Sequence, residues 1–241
     1  MLRFDRVSFA YEPEKPILKE LSFEIKEGDF VGLIGQSGCG KSTIFRLALG
    51  FEKPQSGRIE MGSSGKKIGF MPQKDMLFPW RSIKENLALP LEVQKMEKSE
   101  IDSKVQQILL DMDLIHTADL YPSELSGGMR QRIAFARTVL TGADILLLDE
   151  PFSALDYFTR LDFQEWILNQ YLRLNRTIFF ITHSVDEALL LSSRIFVFGD
   201  SPVTELNEIK LDMPYPRTQE ILNEEALIRL KMDLIHRLRK K

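Results

Sequence analysis

The chain has 241 residues, 44% hydrophobic and 28% charged, with a formal net charge of −3 at pH 7. That composition suits one globular α/β domain, or one domain with an inserted subdomain. Acidic and basic residues are interspersed, so no nucleic-acid partner is expected, and a lone cysteine, Cys39, excludes an intrachain disulfide. The opening MLRFDRVSFAYEPEK lacks the apolar core of a secretion signal, and no apolar run approaches the roughly 20 residues of a membrane span. A soluble protein of cytoplasmic character is the expectation.

In chain order, LRFDRVSFAY and LKELSFEIKEG alternate apolar and polar residues, which predicts two half-buried antiparallel strands with a turn at EPEKP. DFVGLIG predicts a short apolar strand. It is followed by Gly35-Gln36-Ser37-Gly38-Cys39-Gly40-Lys41-Ser42, which fits G-x-x-x-x-G-K-[ST] at every position and opens a helix over Lys41 to Leu49. Glycines there let the backbone wrap a β-phosphate with N–H groups pointing inward. Lys41 neutralises β and γ oxygens, and the Ser42 hydroxyl is one ligand of an octahedral magnesium. Cys39 is expected to be non-catalytic, although its alkylation would block nucleotide sterically.

Turn punctuation is expected at Gln55–Gly57 and Gly62–Lys67, with short strands on either side. From about Asp75 to Leu140 the pattern is helical. Ser99 to Met112 opens with Ser-x-x-Asp, a capping signal, and puts Ile101, Val105, Ile108, Leu109 and Met112 on one face. ELSGGMRQRIAF sets Ser126, Gly127 and Gly128 at a helix start, a second natural anion site, because free N–H groups and the positive dipole end favour phosphate. A chain that already has one phosphate loop leaves open whose phosphate this second site holds.

ADILLLDE, TIFFITHS and RIFVFG are near-continuous apolar runs, which predicts parallel strands covered on both faces. Asp149 ends the first run, placed for magnesium, and Glu150 follows, placed to accept a proton from an attacking water. EEALIRLKMDLIHRLRKK predicts an amphipathic helix with Leu227, Leu230, Leu234 and Leu238 on one stripe. It either packs back on the domain or sets its basic end on lipid headgroups. His116 and His236 match no motif.

The phosphate loop at 35–42, Gln73, LSGGM at 125–129, ILLLDE at 145–150, SALD at 153–156 and His183, in that order, resemble the nucleotide-binding subunit of the ATP-binding cassette (ABC) transporter family over residues 1 to about 200. The resemblance implies an α/β P-loop NTPase ABC cassette, with a mostly parallel core sheet, an antiparallel β subdomain and a helical subdomain. The ATPase domain would span 1–200, with the helical insert at about 75–140, and a short helical extension would occupy 201–241. It implies an ATPase using ATP and Mg2+, which dimerises head to tail with a second copy of itself. Ser126, Gly127 and Gly128 of one copy would then grip the γ-phosphate held by Lys41 of the other, which answers the question of the second anion site. Further implied roles fall to Tyr11, stacking on adenine or else a strand-edge tyrosine, and to Thr43, on the α-phosphate side. Gln73 would touch magnesium and the attacking water, with Ser42 and Asp149 as metal ligands. Glu150 would be the base, His183 would bond the γ-phosphate, and Asp156 would act across the dimer interface.

KDMLFPWRSIKENLALPLE after Gln73, Met129 in LSGGMRQR, and DEPFSALDYFTR resemble the nitrate, sulfonate and taurine importer group. That implies transmembrane permease subunits as partners, a solute-binding protein indirectly, and a peripheral position on the cytoplasmic face of the membrane. Phe78-Pro79-Trp80 would anchor the permease, or Trp80 would pack between the core and the helical insert. The implied cargo is a nitrate-like anion, a small sulfonate or a thiamine-precursor-type pyrimidine. An exporter cassette and a non-transport regulatory or repair ATPase are the alternatives. The repair branch would be expected to carry long coiled coils or zinc-binding cysteines, and the sequence has neither.

Overall fold

The computed structural model describes residues 1–62, 66–174 and 176–239. It forms two compact units, Met1–Lys66 with Leu168–Lys241, and Lys67–Ile167. The first unit begins with β1 (Leu2–Ala10), β2 (Pro16–Ile25), β3 (Phe30–Ile34), α1 (Lys41–Ala48) and β4 (Ser56–Met61). The second holds β5 (Ile68–Met71), α2 (Ile83–Val93), α3 (Lys98–Asp111), α4 (Gly127–Leu140), β6 (Ile145–Asp149) and the start of α5 (Tyr157–Leu174). The chain returns to the first unit with β7 (Thr177–Thr182), α6 (Val185–Leu191), β8 (Arg194–Val197), β9 (Asn207–Lys210) and α7 (Glu225–Arg239). Among the described residues no helix is long and apolar enough to cross a membrane.

In the first unit β1 pairs antiparallel with β2 on one edge and β4 on the other. The alternation turns Leu2, Phe4, Val7 and Phe9 inward, and Phe4 stacks on Phe23 at 4.5 Å. The register slips near Val7. There Arg6 has φ 49, Glu20 φ 51 and Gly57 φ 80. The turn expected at Gln55–Gly57 is therefore corrected. Gly57 lies inside β4 at a bulge, and a Cβ there would fall 2.2 Å from the Arg6 carbonyl oxygen. Of the turn expected at Gly62–Lys67, residues 63–65 lie outside the described residues.

The second sheet of this unit places β3 between β7 and β8, all parallel, with β9 antiparallel on β8. Every residue of β3 and β7 is buried, as an unbroken apolar run requires. β9, with its sequence NEIK, has no apolar pattern and the sequence reading did not find it.

The tail packs on this core. Leu227 and Leu234 are buried with Ile34, Val185, Ala188 and Leu189, and Leu230 and Leu238 lie against the same cluster. Each leucine buried this way contributes about 1.5–3 kcal/mol. Ahead of α7, buried Arg217 donates to the carbonyls of Leu189 (3.0 Å) and Ser192 (2.6 Å) at the end of α6. It also donates to those of Leu211 (3.4 Å) and Met213 (2.9 Å), and its guanidinium lies 4.4 Å from the Tyr215 ring. Burial pushes the Arg217 pKa down from its ordinary value.

In the second unit β5 and β6 run parallel. α2 starts with a capping box. The Glu85 N–H donates to Ser82 Oγ at 3.4 Å, and the Ser82 N–H donates to Glu85 Oε2 at 2.7 Å. The capping expected at Ser99 is corrected. α3 begins at Lys98 after Glu97, with no side-chain cap, so Ser99 is already inside the first turn. The five apolar residues assigned to its inner face are all buried. Phe163 of α5 packs on Phe135 (5.5 Å) and Phe152 (5.7 Å).

Candidate nucleotide site

In the first unit the buried strand β3 delivers the chain into the loop from Gly35 to Gly40, and α1 receives it. Glycine is required at two points. A Cβ on Gly35 would lie 2.9 Å from the Phe198 Cβ. Gly40, the N-cap of α1, has φ 108, and its Cβ would come 2.5 Å from Ile17 Cγ2. Lys41 is only 5% exposed. Its ammonium donates to the carbonyls of Gly35 (3.0 Å) and Gln36 (2.6 Å), so it sits within the loop. The loop thus wraps its own cation, which its carbonyls hold against the start of α1.

The Cys39 sulfur lies 4.0 Å from Lys41 Nζ, and burial raises the thiol pKa against the opposing pull of that ammonium. Gln36, Ser37, Gly38 and Ser42 are exposed, and Thr43 is buried with its N–H on the Gly40 carbonyl at 3.0 Å. Tyr11 is 53% exposed and meets Phe9 edge-on at 4.9 Å. His183 is exposed between β7 and α6, in a turn fixed by its neighbours. The Ser184 N–H donates to Thr182 Oγ1 at 3.0 Å, and the Thr182 hydroxyl bonds buried Glu187.

In the second unit Gln73 and Glu150 meet. Gln73 Nε2 donates to Glu150 Oε2 at 2.8 Å, so one carboxylate oxygen is oriented by an amide. Glu150 has φ 49, a left-handed conformation uncommon outside glycine. Its carbonyl accepts bonds from the Ser153 N–H (3.2 Å) and hydroxyl (3.0 Å), which pin the turn. Asp149, half-buried, ends β6 one residue earlier. Ser126 caps α4, its Oγ accepting from the Met129 N–H at 3.2 Å, and it is exposed at the helix start. Gly128 is buried, where a Cβ would press Leu155 at 3.1 Å and Thr159 at 3.3 Å. Asp156 caps α5, accepting the Thr159 N–H at 3.1 Å, and hydrogen bonds from Thr159 hold its carboxyl below the usual range.

The sequence reading missed a set of contacts behind Gln73. Arg130 Nε pairs with Asp75 at 3.0 Å. Arg137 donates to the carbonyls of Asp75 (2.8 Å) and Met76 (2.9 Å). Two arginines seven apart on the LSGG helix share a face, which was the available signal, but nothing local names Asp75 as their partner. Trp80 is 70% exposed and meets Phe78 edge-on at 5.3 Å, so it is not an interior packing residue. Buried Asn86 holds this turn, accepting the Phe78 N–H at 2.8 Å and donating to the Phe78, Arg81 and Ser82 carbonyls. His116 and His236 are both exposed.

A G-x-x-x-x-G-K-S loop between a buried parallel strand and a helix, with its lysine folded inside, defines a phosphate-loop nucleotide-binding protein. A family model described as ABC transporter matches residues 18–153. The chain is 41% identical over 236 residues to the formylaminopyrimidine import ATP-binding protein ThiZ of Halalkalibacterium halodurans, covering 97% of this chain and 94% of that one. It is 40% identical over 209 residues to the aliphatic sulfonates import ATP-binding protein SsuB of Bacillus cereus, covering 84% and 82%. Among solved structures, a bacterial ABC transporter cassette in dimeric form matches with a TM-score of 0.78 at 29% identity, covering 89% of this chain and 100% of that one. A dimeric post-hydrolysis cassette bound to ADP and Pi matches at 0.77 and 28%, with the same coverage. The chain belongs to the ABC transporter family, as an ATP-binding cassette with ATPase activity.

Proposed function

We propose that this chain is the ATP-hydrolysing subunit of an importer, which dimerises head to tail around two Mg-ATP and drives a membrane permease for a small solute. The observation that carries this reading is the 2.8 Å bond from Gln73 to Glu150, on a backbone pinned at φ 49. General-base catalysis needs a carboxylate held in a fixed orientation toward the water it deprotonates, and the Gln73 bond supports that orientation for Glu150. The loop from Gly35 to Thr43 binds the phosphates, with Tyr11 on the adenine. His183 bonds the γ-phosphate. Ser126, Gly127 and Gly128 receive the γ-phosphate held by the second copy, and Asp156 acts across that interface.

The Ser42 hydroxyl, the Gln73 amide oxygen and the Asp149 carboxylate are hard oxygen donors, the type magnesium prefers, and Gln73 keeps that oxygen available because its nitrogen serves Glu150. Bound there, the ion would supply charge neutralisation on the β and γ oxygens. In this reading residues 1–200 are the ATPase domain, with the insert at about 75–140, and 201–241 are an extension packed on it.

The import names of the relatives support the direction of transport and a cargo of the sulfonate or formylaminopyrimidine kind. Exposed Pro79 and Trp80, beside half-buried Phe78 whose backbone is held by Asn86, support docking on a permease at the cytoplasmic face of the membrane, since rigid aromatics anchor interfaces at low entropy cost. The test is gentle purification of tagged chain from solubilised membranes, with companions identified by mass spectrometry. A multi-span permease together with an extracytoplasmic binding protein is expected. Recovery of nucleotide-competent chain without any membrane protein would overturn the proposal.

A further inference from the structure

Helix α7 carries no motif, yet it reaches the phosphate loop. Its stripe of Leu227, Leu230, Leu234 and Leu238 packs in one cluster with Ile34, the residue that ends β3, and with Val185, which opens α6 just after His183. Lys231 pairs with Asp186 at 2.7 Å, but both side chains are partly exposed, so apolar packing carries the seating. In the last turn the Leu238 carbonyl accepts a hydrogen bond from Gln36 Nε2 at 2.8 Å. The last four carbonyls of a helix have no intrahelical donor, and the bond satisfies one of them. Gln36 is the second residue of the phosphate loop, and its own carbonyl holds the Lys41 ammonium at 2.6 Å. A neighbouring segment joins in, the Ser201 hydroxyl donating to the Cys39 carbonyl at 3.2 Å.

We propose that α7 is a positioning element for the phosphate loop, acting through the Leu238 carbonyl on Gln36 and through its leucines on Ile34. The proposal rests on the reading of residues 35–43 as the ATP phosphate site. The N–H groups of such a loop must converge before phosphate is held. A loop released from its anchor meets that ordering cost on binding, and its affinity falls by the fraction of time it is misarranged. Cutting one exposed hydrogen bond weakens ATP binding about three- to tenfold, the range for a single bond of this kind, and does not abolish it.

Three chains test this. One ends at Ile235, which retains Leu227 and Leu234 but stops about 4.5 Å short of the Leu238 carbonyl along the helix axis. The second is Gln36→Met in the full chain, which removes the donor at constant length. The third combines both changes. ATP affinity is read by titration with a fluorescent ATP analogue, and thermal unfolding reports folding. Each single change is expected to weaken binding about three- to tenfold, and the combination no further than the larger single effect, because both cut the same bond. The shortened chain is expected to show a raised KM and unchanged kcat at saturating ATP. Multiplying effects, or full affinity in the shortened chain, would overturn the proposal. If the shortened chain does not fold, unchanged affinity in Gln36→Met alone does so. A full-length chain that binds no ATP would instead bring down the phosphate-site reading on which the proposal stands.

Discussion

Replacing Glu150 by Gln tests the chemistry with little disturbance of structure. The Gln73 amide donates to Glu150 Oε2 at 2.8 Å, and a glutamine at 150 still offers an oxygen at that place. What is lost in stability is the extra strength of a bond to a charged acceptor, about 1 kcal/mol on a partly exposed pair. The backbone cost of φ 49, about 1–2 kcal/mol for a residue with a Cβ, is the same before and after. Turnover, by contrast, loses the proposed proton acceptor, which is worth about 10²–10⁴ in rate, or about 2.7–5.4 kcal/mol in the barrier. Phosphate release at saturating ATP should therefore fall at least about a hundredfold while the melting temperature scarcely moves. With ATP and magnesium present, the variant should elute as a dimer on gel filtration. Glu150→Gly separates strain from chemistry: it relieves the left-handed backbone and should be as stable as the parent or more so, yet equally inactive. A folded Glu150→Gln enzyme within about tenfold of parental turnover would refute Glu150 as the base.

Gly40→Ala combines φ 108 with an approach of 2.5 Å to Ile17, so it should cost about 2–5 kcal/mol in thermal unfolding and weaken nucleotide binding. Ser126→Arg should end hydrolysis while an isolated chain still binds ATP, and loss of that binding would mean the segment acts within its own chain. Trp80→Ala should leave stability within about 0.5 kcal/mol, as suits a residue 70% exposed, but reduce recovery of permease in pull-downs. The Cys39 thiol pKa is raised by burial, so less thiolate is present at neutral pH than for a free cysteine. Alkylation should therefore be slow at pH 7, quicken as pH rises toward and past 9, and be blocked by ATP.

What was legible in the sequence was local. The phosphate loop is a contiguous string whose glycines answer local sterics, and the LSGG start is marked by a capping serine. The parallel strands appear as unbroken apolar runs. The misjudged cap at Ser99 has a physical cause, since Ser-x-x-acid occurs at both Ser82 and Ser99, and only tertiary placement decides which serine becomes a cap. The partners of distant contacts were not legible: Asp75 with Arg130 and Arg137, Gln36 with Leu238, and β9, a polar strand paired because β8 offers an edge. Gly57 looked like turn punctuation because glycine serves turns and bulges alike.

Arg217 bears on how this gene can be cut and joined. Its guanidinium has backbone carbonyls as acceptors on two stretches of chain, the end of α6 and the segment after β9. A chain stopped at residue 200 would leave the closing carbonyls of α6 buried without their donor and strip Leu227 and Leu234 from the core. A minimal cassette trimmed to its motifs would therefore lose these contacts and be less stable and more sensitive to protease than the full chain.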